Sequence, residues 1–167
     1  MKTITTWNGD LEFESMQDKA GPLLMDGNLK KGLSPKALLL AGLAGCSAVD
    51  VVEILHKMRV SFDSLQVLSE ADQTDQHPKV FKDITLTFIL KADASDLDKI
   101  KKAVDLSMEK YCGVAAMLRK NSSIHAAVQL IQNWYFFVAR IFVAAIRLLV
   151  ILWEVQLVAL FVFYLHP

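Results

Sequence analysis

Hydrophobic positions change their period several times along the chain, and each change marks an element. Residues 2–7 and 10–16 read as short strands around Asn8-Gly9, a dipeptide that favours a tight hairpin. Gly21-Pro22, Asp26-Gly27-Asn28 and Lys31-Gly32 then read as loops or short strand breaks. Ser34-Pro35 is a helix start: Ser suits the N-cap, and Pro suits the first helical position, where its missing N–H is not needed. That helix is predicted to run to about Lys57. From Ala37 to Val49 it is apolar all round and rich in Ala and Gly, which predicts burial and close packing. Beyond that point Val51, Ile54, Leu55 and Met58 form a single stripe.

Strand periodicity returns at Val60 and Phe62, and again at Ile84, Leu86, Phe88 and Leu90, with a polar, loop-like segment from Ser69 to Pro78 between. Leu97, Ile100, Val104 and Tyr111 mark an amphipathic helix from about Asp96. The pattern changes at Gly113, which predicts a break and a second short helix starting near Tyr111. Ile124, Ala126, Val128 and Leu130 alternate as a last strand. Strands, a long helix, strands, helices and a strand make an α+β order.

A domain over 1–130 is complete at that point, and residues 131–167 form a hydrophobic extension. The chain has 167 residues and is 53% hydrophobic, high for a soluble domain, and the excess lies in this extension. From Trp134 to Leu165 only Arg140, Arg147, Glu154 and Gln156 fall outside the apolar class. Lys and Arg balance Asp and Glu at 18 each. No basic patch or RNA-binding motif stands out, so nucleic acid is not an expected partner.

Candidate chemistry rests on two cysteines, Cys46 in LLLAGLAGCSAVDVVEIL and Cys112 in MEKYCGVAAML. No Cys or His stands two to five residues from either, so neither belongs to a zinc knuckle. His56, His77 and His125 are far apart in sequence, and no metal or cofactor is expected. With no secretion signal evident, the cysteines are expected in a reducing compartment. Two readings of the residues stay open: inert core thiols, since free Cys is often a small buried hydrophobe, or a reactive thiol with its resolving partner. Asp50, Glu53 and Lys57 follow Cys46 on one helical face, either tuning the thiol or forming a solvated flank.

The run SPKALLLAGLAGCSAVDVVEILHKMR, then HPKVF, then YCGVAAMLRK and SIHAAVQL, resembles the OsmC/Ohr family over roughly residues 1–130. Members are small stress-response peroxidases that reduce organic hydroperoxides through a cysteine pair. The resemblance implies an OsmC-like fold of curved antiparallel sheets and a long central helix, built as an intertwined dimer. It also makes Cys46 the peroxidatic residue and Cys112 the resolving one, with a dithiol as reductant. The chain departs from the family in places. Lys36 stands where the peroxidases usually carry Glu after the Pro, and residues 1–58 contain no Arg to hold the thiolate. Gly113 replaces the common Pro after the second Cys. Lys30, Lys31 and Lys36 are the cations in a position to substitute. The chain thus reads as a divergent branch with two functions open: hydroperoxide reduction, or non-catalytic binding of a small apolar or electrophilic ligand at the dimer groove.

The extension has its own three readings. Residues 148–165 carry one charge, and Arg140 and Arg147 precede them, the pattern of a C-terminal helix anchoring a cytoplasmic protein to a membrane. A packed or oligomerising helix, with Arg140, Arg147 and Glu154 on one seam, fits the same spacing. A segment not native to the domain is the third.

Overall fold

In the computed structural model, residues 1–132 are described. Strands β1 (Ile4–Gly9), β2 (Glu12–Met16) and β3 (Leu23–Asp26) form an antiparallel sheet in that order. The hairpin turn falls at Asp10-Leu11, two residues past the expected Asn8-Gly9: Gly9 ends β1 paired with Glu12, and the register shifts between Trp7 and Gly9, where Gly9 takes φ 110°. The third strand falls where loop residues were expected.

The loop after β3 is wound on Asp26. Its buried carboxylate accepts the backbone N–H groups of Asn28 (2.7 Å), Lys30 (2.9 Å) and Lys31 (3.0 Å). Those bonds hold the carboxyl below its ordinary range, the Asn28 N–H contributing most. Gly32 passes close to β3, where an added Cβ would stand 2.6 Å from the Leu24 carbonyl oxygen. The chain thereby reaches the start of the long helix, α1 (Pro35–Lys57). Ser34 caps it, its Oγ accepting the Ala37 N–H at 3.2 Å. At the other end Arg59 takes φ 56°, and the Val60 N–H turns back to the Leu55 carbonyl at 3.0 Å.

Strand β4 (Phe62–Gln73) pairs antiparallel with β5 (Phe81–Ala92). A 3-10 turn at Ala94–Asp96 leads into α2 (Leu97–Leu106), a π-helical turn at Ser107–Tyr111 and α3 (Gly113–Leu118). Strand β6 (Ser123–Gln132) then lies beside β5, and parallel to it, from Asp83↔Ser123 to Ala92↔Gln132. Alternation puts Ile84, Leu86, Phe88 and Leu90 of β5 inward, all fully buried. They meet Leu43, Val51 and Leu55 of α1 and Ile100, Ala103 and Val104 of α2 in one core. Each large side chain buried there contributes about 1.5–3 kcal/mol.

Two expectations need correction. The OsmC-like α+β architecture holds, but not as curved antiparallel sheets. Among the described residues there are two separate three-stranded sheets, and the second is mixed, because the helical crossover after β5 returns the chain to run alongside it. The C-terminal helix was expected within residues 131–167, of which 133–167 lie outside the described residues. The cytoplasmic tail anchor is corrected as well. Among the described residues, the helix long and apolar enough to cross a membrane is α1, near the N-terminus and not in the tail. It is packed into the core through Leu43, Ser47, Val51 and Leu55. Residues 148–165 themselves lie outside the described residues.

Candidate active site

Buried positions on α1 recur every fourth residue: Leu43, Ser47, Val51 and Leu55. Cys46 and Asp50, each one place earlier in that series, are half-buried at its margin. On the facing segment, Ile100, Ala103, Val104, Ser107 and Met108 make the buried stripe. Two serines therefore stand at core positions, and both use their hydroxyls. Ser47 Oγ donates to the Leu43 and Ala44 carbonyls of its own helix (2.9 and 3.1 Å). Ser107 Oγ reaches across to α1, 3.2 Å from the Ser47 carbonyl and 3.1 Å from Asp50 Oδ2.

Ser107 also opens the turn that sets Cys112. The Cys112 N–H donates to the Ser107 carbonyl at 2.8 Å, an i to i−5 bond that widens the helix by one residue. Arg119 Nη1 clips the same turn by donating to the Met108 carbonyl at 2.6 Å. The widened turn carries Cys112 inward, and the residue then caps α3, its Sγ accepting the Ala115 N–H at 3.4 Å. Cys112 is buried, and both cysteines are free. The Cys46 Sγ, the Cys112 Sγ and a carboxylate oxygen of Asp50 all lie within 4.8 Å of one another.

The site's electrostatics differ from what a helix start suggests. A helix N-terminus by itself lowers a thiol pKa. Burial outweighs the Ala115 N–H, the neighbouring Cys46 thiol acts in the same direction as burial, and the Cys112 thiol is pushed up to about 11. Two of the three lysines considered as substitutes for the family's Arg are engaged elsewhere. Lys36 Nζ donates to Gln73 Oε1 (2.8 Å) and to the Lys79 carbonyl (2.7 Å), and Lys31 pairs with Glu12 at 2.8 Å. The third, Lys30, lies close enough to Asp26 to help lower that carboxyl's pKa.

The face shared by Asp50, Glu53 and Lys57 divides. Glu53 and Lys57 form an exposed pair at 3.8 Å, a solvated flank, whereas Asp50 turns to the thiols. Asp50 also lines a cleft with Ile54, Met58, Leu106 and Tyr111. His56 stacks on Phe62, with ring centroids 5.9 Å apart, and His77 and His125 are exposed. Trp7 is exposed, and its Nε1 donates to the Asp10 carbonyl. Sequence reasoning missed Ser107. The available signal was a lone polar residue on the buried stripe of an amphipathic helix.

Comparison with known proteins places the fold. Residues 27–126 match the family model of OsmC-like proteins. Protein YhfA of Escherichia coli (strain K12) is 37% identical over 125 residues, covering 74% of this chain and 93% of YhfA. A structural-genomics structure superposes with TM-score 0.71 at 34% identity, covering 80% of this chain and 100% of its own. A hypothetical protein from Aquifex aeolicus VF5 superposes with TM-score 0.70 at 25% identity, covering 79% and 96%. With the family match, the relatives and the fold in agreement, the chain belongs to the OsmC/Ohr family, as a divergent branch.

Proposed function

We propose that this protein is a thiol-dependent redox protein that reduces organic hydroperoxides through Cys46 and Cys112. The observation that carries the reading is the pair: a half-buried thiol on α1 and a buried one at the start of α3, their sulfurs within 4.8 Å. Cys46, the more accessible, is the nucleophile. Its thiolate attacks the outer peroxide oxygen, the O–O bond breaks, and the alcohol leaves after taking a proton. Cys46 is then a sulfenic acid. Cys112 attacks its sulfur, water leaves, and a disulfide forms. A dithiol restores both thiols.

With Glu and Arg absent from their family positions, turnover is expected to be slow. The test is peroxide consumption by the full chain. Cys46→Ser abolishes it, and Cys112→Ser permits one round that stops at sulfenic acid. Robust turnover by Cys46→Ser sinks the assignment.

A second reading has its own support. An open apolar groove of about 540 Å³ runs between α1 and β4, lined by Ala44, Gly45, Ala48, Val52, Leu65 and Val67 among others. A non-catalytic protein would hold a small apolar or electrophilic ligand there. The homodimer implied by the resemblance draws on the same face of α1. Leu39 and Val49 are 53% and 61% exposed, and Gly42 and Gly45 have open space around them. Light scattering on purified protein tests the dimer, and a monomer at micromolar concentration counts against it.

A further inference from the structure

We propose that Cys46, Cys112 and Asp50 form a redox-responsive site for a thiophilic divalent cation of the zinc class. The proposal uses the two thiols of the candidate active site but does not depend on their reacting with peroxide. Expectation from sequence was no metal, because the histidines are scattered. The structure instead assembles a donor set without histidine, two sulfurs and one carboxylate oxygen mutually within 4.8 Å.

Geometry favours a cation in this triangle. Zinc bound tetrahedrally at about 2.3 Å from sulfur and 2.0–2.2 Å from oxygen separates its ligand atoms by roughly 3.5–3.8 Å. Each pair here closes by about 1.3 Å at most to reach that spacing. A disulfide at about 2.05 Å requires the sulfurs to close by up to nearly 3 Å. The triangle is therefore at least as ready to hold a metal as to form a bridge.

Two further features fit. The third ligand is oriented from behind: Ser107 Oγ, on a fully buried residue, lies 3.1 Å from Asp50 Oδ2, the kind of outer contact that fixes a ligating carboxylate. Three protein ligands would leave a fourth position for water, and one of them, Asp50, borders a cleft lined by Ile54, Met58 and Tyr111 among others.

Binding replaces two thiol protons by one divalent cation, so each ion bound releases two protons. The bound thiolates are shielded from oxidants. Conversely, a hydroperoxide that converts the pair to a disulfide removes two of the three ligands and expels the ion. The two electrons pass from the sulfurs to the peroxide, which takes up two protons from solvent and leaves as alcohol and water.

The test uses the reduced, full-length protein titrated with Zn²⁺ against a chromophoric chelator, and with Cd²⁺ to read the thiolate-to-metal absorption band. Expected are one ion per chain, loss of the band in Cys46→Ser and in Cys112→Ser, and zinc affinity weakened in Asp50→Asn by more than the roughly 10–100-fold that loss of an outer-shell partner costs. Ser107→Ala should weaken it less. Diamide, which makes the disulfide without peroxide, should release the ion. Unchanged affinity in a folded Asp50→Asn overturns the three-ligand site and leaves an adventitious thiol pair only. Unchanged binding after diamide overturns it too, provided mass spectrometry shows the bridge. Inertness to peroxide with zinc binding intact refutes the proposed peroxidase and spares this site; turnover without zinc binding does the reverse.

Discussion

Replacing Ser107 with Ala removes one hydroxyl from between α1 and the turn that carries Cys112. The residue is fully buried, and its single proton is shared between the Ser47 carbonyl at 3.2 Å and Asp50 Oδ2 at 3.1 Å. Hydrogen bonds to charged groups contribute about 1.5–3 kcal/mol, but strong ones of this type are about 2.5–2.7 Å long. Both contacts here are longer, and one proton serves two acceptors. Asp50 is only half-buried, so water can replace part of what it loses. The expected cost is therefore at the lower end, about 1–2 kcal/mol. Urea unfolding of the full chain measures it as a lower midpoint at unchanged slope. A double-mutant cycle with Asp50→Ala isolates the cross-helix contact, with an expected coupling of about 0.5–1.5 kcal/mol. Strict additivity of the two substitutions would refute the claim that Ser107 positions Asp50.

Two further outcomes follow from the titrating groups. Cys112, pushed up to about 11 by burial, stays protonated in the folded protein after the unfolded thiol has ionised. Its contribution to stability is complete below pH about 9 and declines as pH rises toward 11, by on the order of 2 kcal/mol. Replacing Cys112 with Ala flattens that alkaline slope. Iodoacetamide with a chelator present should label Cys46 before Cys112 at pH 8, and peptide mapping reads the order. Asp26 behaves oppositely. Held low chiefly by the Asn28 N–H, its carboxylate stabilises the fold above its unfolded pKa, and that stability is lost as pH falls through the lower folded value. Asp26→Asn should lower the thermal midpoint at pH 7 and weaken the acid dependence; an unchanged midpoint counts against the loop being wound on this side chain.

Elements with strong local signals were legible in the sequence. Ser34-Pro35 started α1, alternation at Ile84, Leu86, Phe88 and Leu90 marked a buried strand, and the first hairpin was legible although it turns at Asp10-Leu11 and not at Asn8-Gly9. Pairing direction was not legible, because β6 reads the same whether it lies parallel or antiparallel to β5. β3 was hidden behind glycine and proline signals that belong to the loops on either side of it. The apolar first half of α1 predicted burial all round, yet Leu39 and Val49 are exposed. A helix can be apolar on a face that its own chain does not cover. Cys46 and Cys112 were visible as candidates, but Asp50 looked like a solvated flank because periodicity shows a face and not what stands opposite it. Ser107, distant in sequence, supplies the contact that turns Asp50 inward.

The central claim is that Cys46 and Cys112 act as one redox pair, and their joint oxidation tests it most directly. Reduced protein, freed of metal, is treated with one equivalent of cumene hydroperoxide; free thiols are titrated, and the digest is examined by mass spectrometry. The account predicts loss of both thiols per peroxide consumed and a Cys46–Cys112 bridged peptide that a dithiol reverses. Two intact thiols, or Cys46 carried to sulfinic acid while Cys112 remains free, would contradict it.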